Sequence, residues 1–135
     1  FLFPLLKEFP NTNITSIDIL PNRLELLNNI KNGGIDNLNV YNEDLTNLSF
    51  NDNTFDVVTI LEVLEHIPNV KKAIKEAIRV SKKFIVITVP SKEDNNPEHI
   101  HLLTKTILTD IFNEYGITNL KFSGVNGHLF LVAKK

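Results

Sequence analysis

The chain has 135 residues, 42% of them apolar and 22% charged, with 14 basic and 16 acidic side chains and a net charge of −2. One domain of ordinary globular composition fits this length, and a disordered, collagen-like or rod-shaped chain does not. No apolar run approaches the ~20 residues of a membrane-spanning helix. The acidic balance speaks against a module that lives on nucleic-acid phosphates. The absence of Cys excludes disulfides, thiolate metal sites and a Cys nucleophile.

Residues 1–9 read as the tail of an amphipathic helix, ended by Pro10-Asn11. The stretch carries no basic leader or small-residue cleavage site, so it does not read as a signal peptide, and cytoplasm is the expected compartment. Ile14 to Leu20 is short and β-branched, and is expected to be a strand. Pro21 suits the first position of a helix whose stripe is Leu24, Leu27 and Ile30, with Gly33-Gly34 as its stop. Leu38 to Tyr41 predicts a second strand, and 42–53 a polar, turn-rich stretch.

Phe55 to Leu61 is nearly continuous apolar sequence, the pattern of a strand buried on both faces. Val70, Ala73, Ile74, Ala77 and Ile78 form a helical stripe over 69–81. Phe84 to Val89 predicts another strand buried on both faces, followed by a polar loop over 91–103. Thr104 is placed to cap a helix with core face Ile107, Leu108, Ile111, Phe112 and Tyr115, ended by Gly116. Ile117–Ser123 and His128–Ala133, around Asn126-Gly127, predict an antiparallel hairpin.

Alternating strands and helices of this kind predict an α/β fold, doubly wound with a mostly parallel sheet, in one domain over 1–135. Such sheets bind ligands beyond the carboxyl ends of their strands. Asp18 sits at such an end. A carboxylate there offers two acceptor oxygens to a pair of ribose hydroxyls, or else it caps the helix that follows. A Gly-rich loop is expected ~20 residues before that acid, which falls just before Phe1. No Gly-x-Gly occurs among the five glycines. The expectation is therefore that the opening strand and the loop lie outside this sequence, in on the order of 40–60 further residues. Asp44 and Leu45 follow the next strand, an acid for an adenine amino group and an apolar cover for its ring, or a plain surface turn.

Asp18, Glu43-Asp44-Leu45, Phe55-Asp56-Val57-Val58 and Glu62-Val63-Leu64-Glu65-His66-Ile67-Pro68 together resemble the class I S-adenosylmethionine-dependent methyltransferases. The closest likeness is to the small single-domain members with a Glu-His pair after the fourth strand. The resemblance implies a Rossmann-like fold with a reversed last strand, S-adenosylmethionine as cofactor and a small-molecule acceptor. It implies that Asp18 holds the ribose with Ile19 near the adenine. It also implies that Asp44 and Leu45 address the adenine, and that Leu61 and Glu62 border the methionine part.

His66 is the candidate base, because its ordinary pKa sits near neutrality; bracing the loop is the simpler role. The resemblance implies that His99 and His101 border the acceptor side; read alone, they belong to an ordinary polar loop. No metal is assigned. One variant places a divalent cation on Glu62, Glu65, His66 and His101, a set similar to that of methyltransferases acting on the 2′-hydroxyl of an RNA 3′ end. Mixed His and carboxylate sets are not selective, and only Arg23 and Arg79 supply arginine for an RNA face. A non-catalytic binding module of the same fold is the third reading. The sequence carries no code for the acceptor or for oligomeric state.

Overall fold

The computed structural model describes residues 1–93 and 95–135, so Asp94 of the expected 91–103 loop lies outside the described residues. Eleven elements follow one another, and the chain divides into two compact units, Phe1–Asp44 and Leu45–Lys135.

In the first unit, helix α1 (Leu2–Glu8) precedes strand β1 (Ile14–Asp18), helix α2 (Pro21–Asn32) and strand β2 (Leu38–Asn42). Pro21 opens α2 as expected, since the first helical turn has no use for the amide hydrogen that proline lacks. Strands β1 and β2 pair in parallel from Ile14–Leu38 to Asp18–Asn42, and both end at the same level. Leu6, Ile14 and Leu38 are the buried core, with Leu2, Leu5, Ile30, Ile35 and Val40 packed around them. The α2 stripe Leu24, Leu27 and Ile30 is only half-buried. Asn37 donates through its side-chain amide to the Thr12 carbonyl at 2.9 Å and so ties the entry of β2 to the entry of β1.

In the second unit, strand β3 (Phe55–Leu61) leads through a single 3-10 turn (Leu64–His66) into helix α3 (Val70–Val80) and strand β4 (Ser81–Pro90). Helix α4 (Lys105–Glu114) and strands β5 (Asn119–Val125) and β6 (His128–Lys134) complete it. The sheet order is β3-β4-β6-β5. Strands β3 and β4 are parallel, as a crossover through α3 requires, and the last two strands run antiparallel. The fold is thus α/β with a mixed sheet and the expected terminal hairpin. Asn126 and Gly127 both have positive φ, 42° and 89°, which is what a two-residue hairpin turn of the primed type demands.

The core joins Ile85, Ile87 and Val89 of β4 to Leu131 and Ala133 of β6, under Ala73, Ile74 and Ala77 of α3 and Leu108, Ile111 and Phe112 of α4. Both helices start on side-chain caps: Asn69 accepts from the Lys72 amide, and Thr104 from the Ile107 amide. Two burial expectations need correction. Strand β3 is not buried on both faces: Val57 is 50% exposed and only Ile60 is fully buried. Its side chains alternate, with Val58 and Ile60 packed on the core and Val57 and Thr59 on the opposite, exposed face. Ile107 is likewise exposed, because it lies in the first turn of α4 off the face that Leu108 and Ile111 share.

The polar face of α3 is anchored by Arg79. Its guanidinium donates to both Glu76 carboxylate oxygens, to Asp52 and to the Leu48 and Phe50 carbonyls, which fixes the loop before β3. Lys135 gathers a second set of oxygens: its ammonium donates to Asn53 Oδ1 and to the Ile78 and Ser81 carbonyls, at 2.8 to 2.9 Å.

Candidate functional site

The first unit offers Asp18. It is the last residue of β1, and its carboxylate is mostly buried, with 20% of the side chain exposed. Oδ1 accepts from the Leu20 amide at 2.9 Å, and Oδ2 lies 3.7 Å from the Arg23 guanidinium. Its own carbonyl accepts from the Glu43 amide, which locks the ends of β1 and β2 together. The capping role weighed from the sequence is not what this bond does: α2 has no side-chain cap at its N-terminus, and Asp18 closes a local turn onto the Leu20 amide instead. This bond leaves acceptor capacity, because an ionised carboxylate has about four lone-pair sites. Beside it Ile19 is 60% exposed, an apolar side chain held outward at a strand end. Asp44 is exposed at the close of this unit. Leu45 begins the second unit and packs, half-buried, against its core.

In the second unit, β3 ends at Leu61, whose Cα is in register with Thr88 of β4. Glu62 then takes a left-handed conformation with φ 53°, which side-chain-bearing residues adopt at a cost. Its amide still donates to the Thr88 carbonyl, and its carboxylate pairs with His128 Nδ1 at 3.1 Å. This bend ends the strand abruptly and starts the 3-10 turn. Leu64 plugs the core, and Glu65 follows it inward with only 1% exposure.

Neither carboxylate oxygen of Glu65 has a hydrogen-bond partner among the described residues. Burial, helped by the nearby Glu62 carboxylate, pushes this carboxyl above the usual carboxylate range, opposed in part by its own backbone amide and then by His66 and His99. His66 points its Nδ1 at the Glu98 carbonyl, 2.9 Å away. A carbonyl only accepts, so Nδ1 carries the hydrogen and, in the neutral ring, Nε2 keeps the free lone pair. Nε2 faces Glu65 Oε1 at 3.9 Å. The His99 ring meets that of His66 edge-on, with centroids 4.8 Å apart. The loop carrying His99 is held to the turn by a second bond, from the Ile100 amide to the Glu65 carbonyl at 2.9 Å.

His101 goes elsewhere, with its Nε2 bonded to the Ile67 carbonyl at 3.0 Å. The four-residue metal set weighed from the sequence is thus not assembled as such. Glu62 turns to His128 and His101 to a backbone oxygen, while Glu65, His66 and His99 come together. His128 and the burial of Glu65 were not anticipated. A surface cavity of about 400 Å³ opens next to this turn, with apolar walls from Pro68, Val70, Ile100, Leu102, Leu103, Ile107 and Ile111 and polar groups from Asn69, Lys71 and His101. Its apolar walls are partly exposed, Ile100 by 51% and Ile107 by 41%.

Parallel strands joined through helices, with a reversed terminal strand, are the architecture of Rossmann-like methyltransferases. Solved structures agree on the fold. A SAM dependent methyltransferase from Aquifex aeolicus superposes over 99% of this chain and 76% of its own length, with TM-score 0.75 and 16% identity. The cyclase SpnF, a 4+2 cyclase, covers 98% and 70%, with TM-score 0.80 and 15% identity. Residues 1–85 match the methyltransferase-domain family, and the chain belongs to it. That match contains Asp18, Ile19, Asp44, Leu45, Leu61, Glu62 and His66, but neither His99 nor His101.

Among curated proteins, the sterol 4-C-methyltransferase of Caenorhabditis elegans is 37% identical over 98 residues, 67% of this chain and 29% of that protein. A demethylmenaquinone methyltransferase of Staphylococcus epidermidis is 38% identical over 69 residues, 51% of this chain and 28% of its own. The chain therefore spans less than a third of the length of these relatives. Among the described residues, no helix is long and apolar enough to cross a membrane.

Proposed function

We propose that this chain is a single methyltransferase domain that transfers the methyl group of S-adenosylmethionine to a small, largely apolar acceptor, in the cytoplasm. The observation that carries the reading is Asp18: a mostly buried carboxylate with spare acceptor capacity, at the carboxyl end of a parallel strand and next to an outward apolar side chain. It takes the two ribose hydroxyls, and Ile19 covers one face of the adenine. Asp44 accepts from the adenine amino group and Leu45 lies near its ring. Leu61 and the bent Glu62 border the methionine part.

The sulfonium already activates the methyl carbon. The acceptor's lone pair forms the new bond to carbon as the carbon–sulfur bond breaks, and S-adenosylhomocysteine leaves. Where the acceptor is a hydroxyl or an acidic carbon, its proton passes to the free Nε2 of His66. The protein's larger task is alignment, which is worth roughly 7–11 kcal/mol in well-oriented reactions. The apolar cavity beside the turn, with His101 and His99 near it, supports an apolar acceptor. The sterol and quinone substrates in the names of the relatives agree with that class.

The test is calorimetric binding of S-adenosylhomocysteine to the intact protein. Asp18→Ala is expected to weaken binding by about tenfold or more, the worth of roughly one charge-assisted hydrogen bond. Asp18→Asn keeps an oxygen for the Leu20 amide but not a second acceptor, so it too loses affinity. Wild-type affinity in Asp18→Asn would reduce this carboxylate to a holder of the turn at Leu20.

A further inference from the structure

We infer that Glu65, His66 and His99 form a binding site for a borderline divalent transition cation of the zinc type. Three observations within the second unit meet here, and none of them depends on the methyl-transfer reading.

The first is the company of ligand atoms. One carboxylate oxygen and two imidazole nitrogens all lie within 4.8 Å of one another. The second is the unanswered carboxylate. Glu65 is 1% exposed, and neither oxygen has a hydrogen-bond partner among the described residues. A buried, unpaired carboxylate is costly, and a dication is the ligand that removes that cost directly. The third is the orientation of His66. Its Nδ1 hydrogen is spent on the Glu98 carbonyl, which leaves the Nε2 lone pair turned toward Glu65. Metal-ligating histidines are held in this way, with the far nitrogen donating to a carbonyl or carboxylate.

The spacing agrees. At 3.9 Å, Nε2 and Oε1 are too far apart for a hydrogen bond, yet within the ~4.2 Å that two ligands about 2.1 Å from one ion can span. Each side chain closes the set to tetrahedral spacing by moving less than about 1 Å. Two imidazoles with one carboxylate suit zinc, cobalt or nickel better than magnesium or calcium, which prefer oxygen. Three protein ligands leave a coordination position open, and the exposed side of His66 gives it a path to solvent. A cation held here takes the Nε2 lone pair, so His66 serves as a base only in the metal-free protein.

The intact protein, stripped with a chelator, is titrated with Zn²⁺ by calorimetry and with Co²⁺ by visible absorption, with Mg²⁺ as the comparison. One equivalent of Zn²⁺ is expected to bind, with intensified Co²⁺ bands and much weaker Mg²⁺ binding. Glu65→Gln and His99→Ala are each expected to lower Zn²⁺ affinity by about tenfold or more, while His128→Ala leaves it unchanged. His99 sits in a loop, so its variant decides the matter even where the Glu65 variant folds poorly. Unchanged affinity in either ligand variant, loss in His128→Ala, or no binding at micromolar Zn²⁺ overturns the site. Binding of S-adenosylhomocysteine in chelator separates this outcome from a failure of the methyltransferase reading.

Discussion

Glu65 turns its carboxyl into the protein one residue beyond Leu64, with 1% exposure and no hydrogen bond to either oxygen among the described residues. The stretch Glu62 to Pro68 reads plainly as a strand exit, and its likeness to a methyltransferase motif is legible in the letters alone. Which of its two glutamates turns inward is not, because a 3-10 turn has no apolar period to betray it. The meeting of His99 with His66 closes a loop of more than thirty residues, and no local pattern reports that. Asp18 was easier, since a strand end fixes its place whatever surrounds it. A stability prediction follows for Glu65. In chelator, Glu65→Leu removes a buried carboxyl whose oxygens make no hydrogen bond, so the variant is expected to gain on the order of 1–3 kcal/mol against urea. A loss of similar size would mean that the carboxylate is satisfied in the metal-free protein.

Among the elements, α3 carries most of the order of the second unit. Its apolar stripe was readable from spacing, and all five stripe residues are buried. Its polar face was not, because Glu76 and Arg79 look like any solvated pair. In the structure they hold the 48–52 loop, with Glu76 and Arg79 side chains 15% and 27% exposed. The Arg79 guanidinium holds the Glu76 carboxyl below its ordinary value near 4.5. The unfolded chain thus takes up this proton at higher pH than the folded one. The pair's contribution is complete above that ordinary value and fades as pH falls through the folded one. Glu76→Gln is expected to cost about 2–3 kcal/mol at neutral pH, with the gap to wild type narrowing in acid. Urea midpoints at the two pH values read this directly, and a constant gap would contradict it. β3 teaches the opposite lesson: its bounds were readable to the residue, its burial was not, because Phe-Asp-Val-Val-Thr-Ile-Leu reads the same with both faces packed as with one.

Taken whole, the molecule is unevenly built. Among the described residues, the first unit buries three apolar side chains in its core cluster and the second seventeen. Local opening follows such contrasts. Amides of β1 and β2 are expected to exchange with deuterium well before those of β4 and β6. If Asp18 and Ile19 hold the nucleoside, S-adenosylhomocysteine at a hundred times its Kd protects the first unit by about 2.7 kcal/mol, a slowing of about 100-fold. Protection confined to the second unit would move the cofactor away from Asp18. The α/β class and the terminal hairpin were open to reading because period and turn chemistry are local. The division into two units depends on which distant faces meet, and composition is silent on that.

Lys135 deserves a last word as a mechanical part. One ammonium draws together the turn at Asn53, the end of α3 and the first residue of β4, three stretches spread over about thirty positions. It works as a keystone: replacing that one side chain, as in Lys135→Ala, frees three oxygens at once, two of them backbone carbonyls.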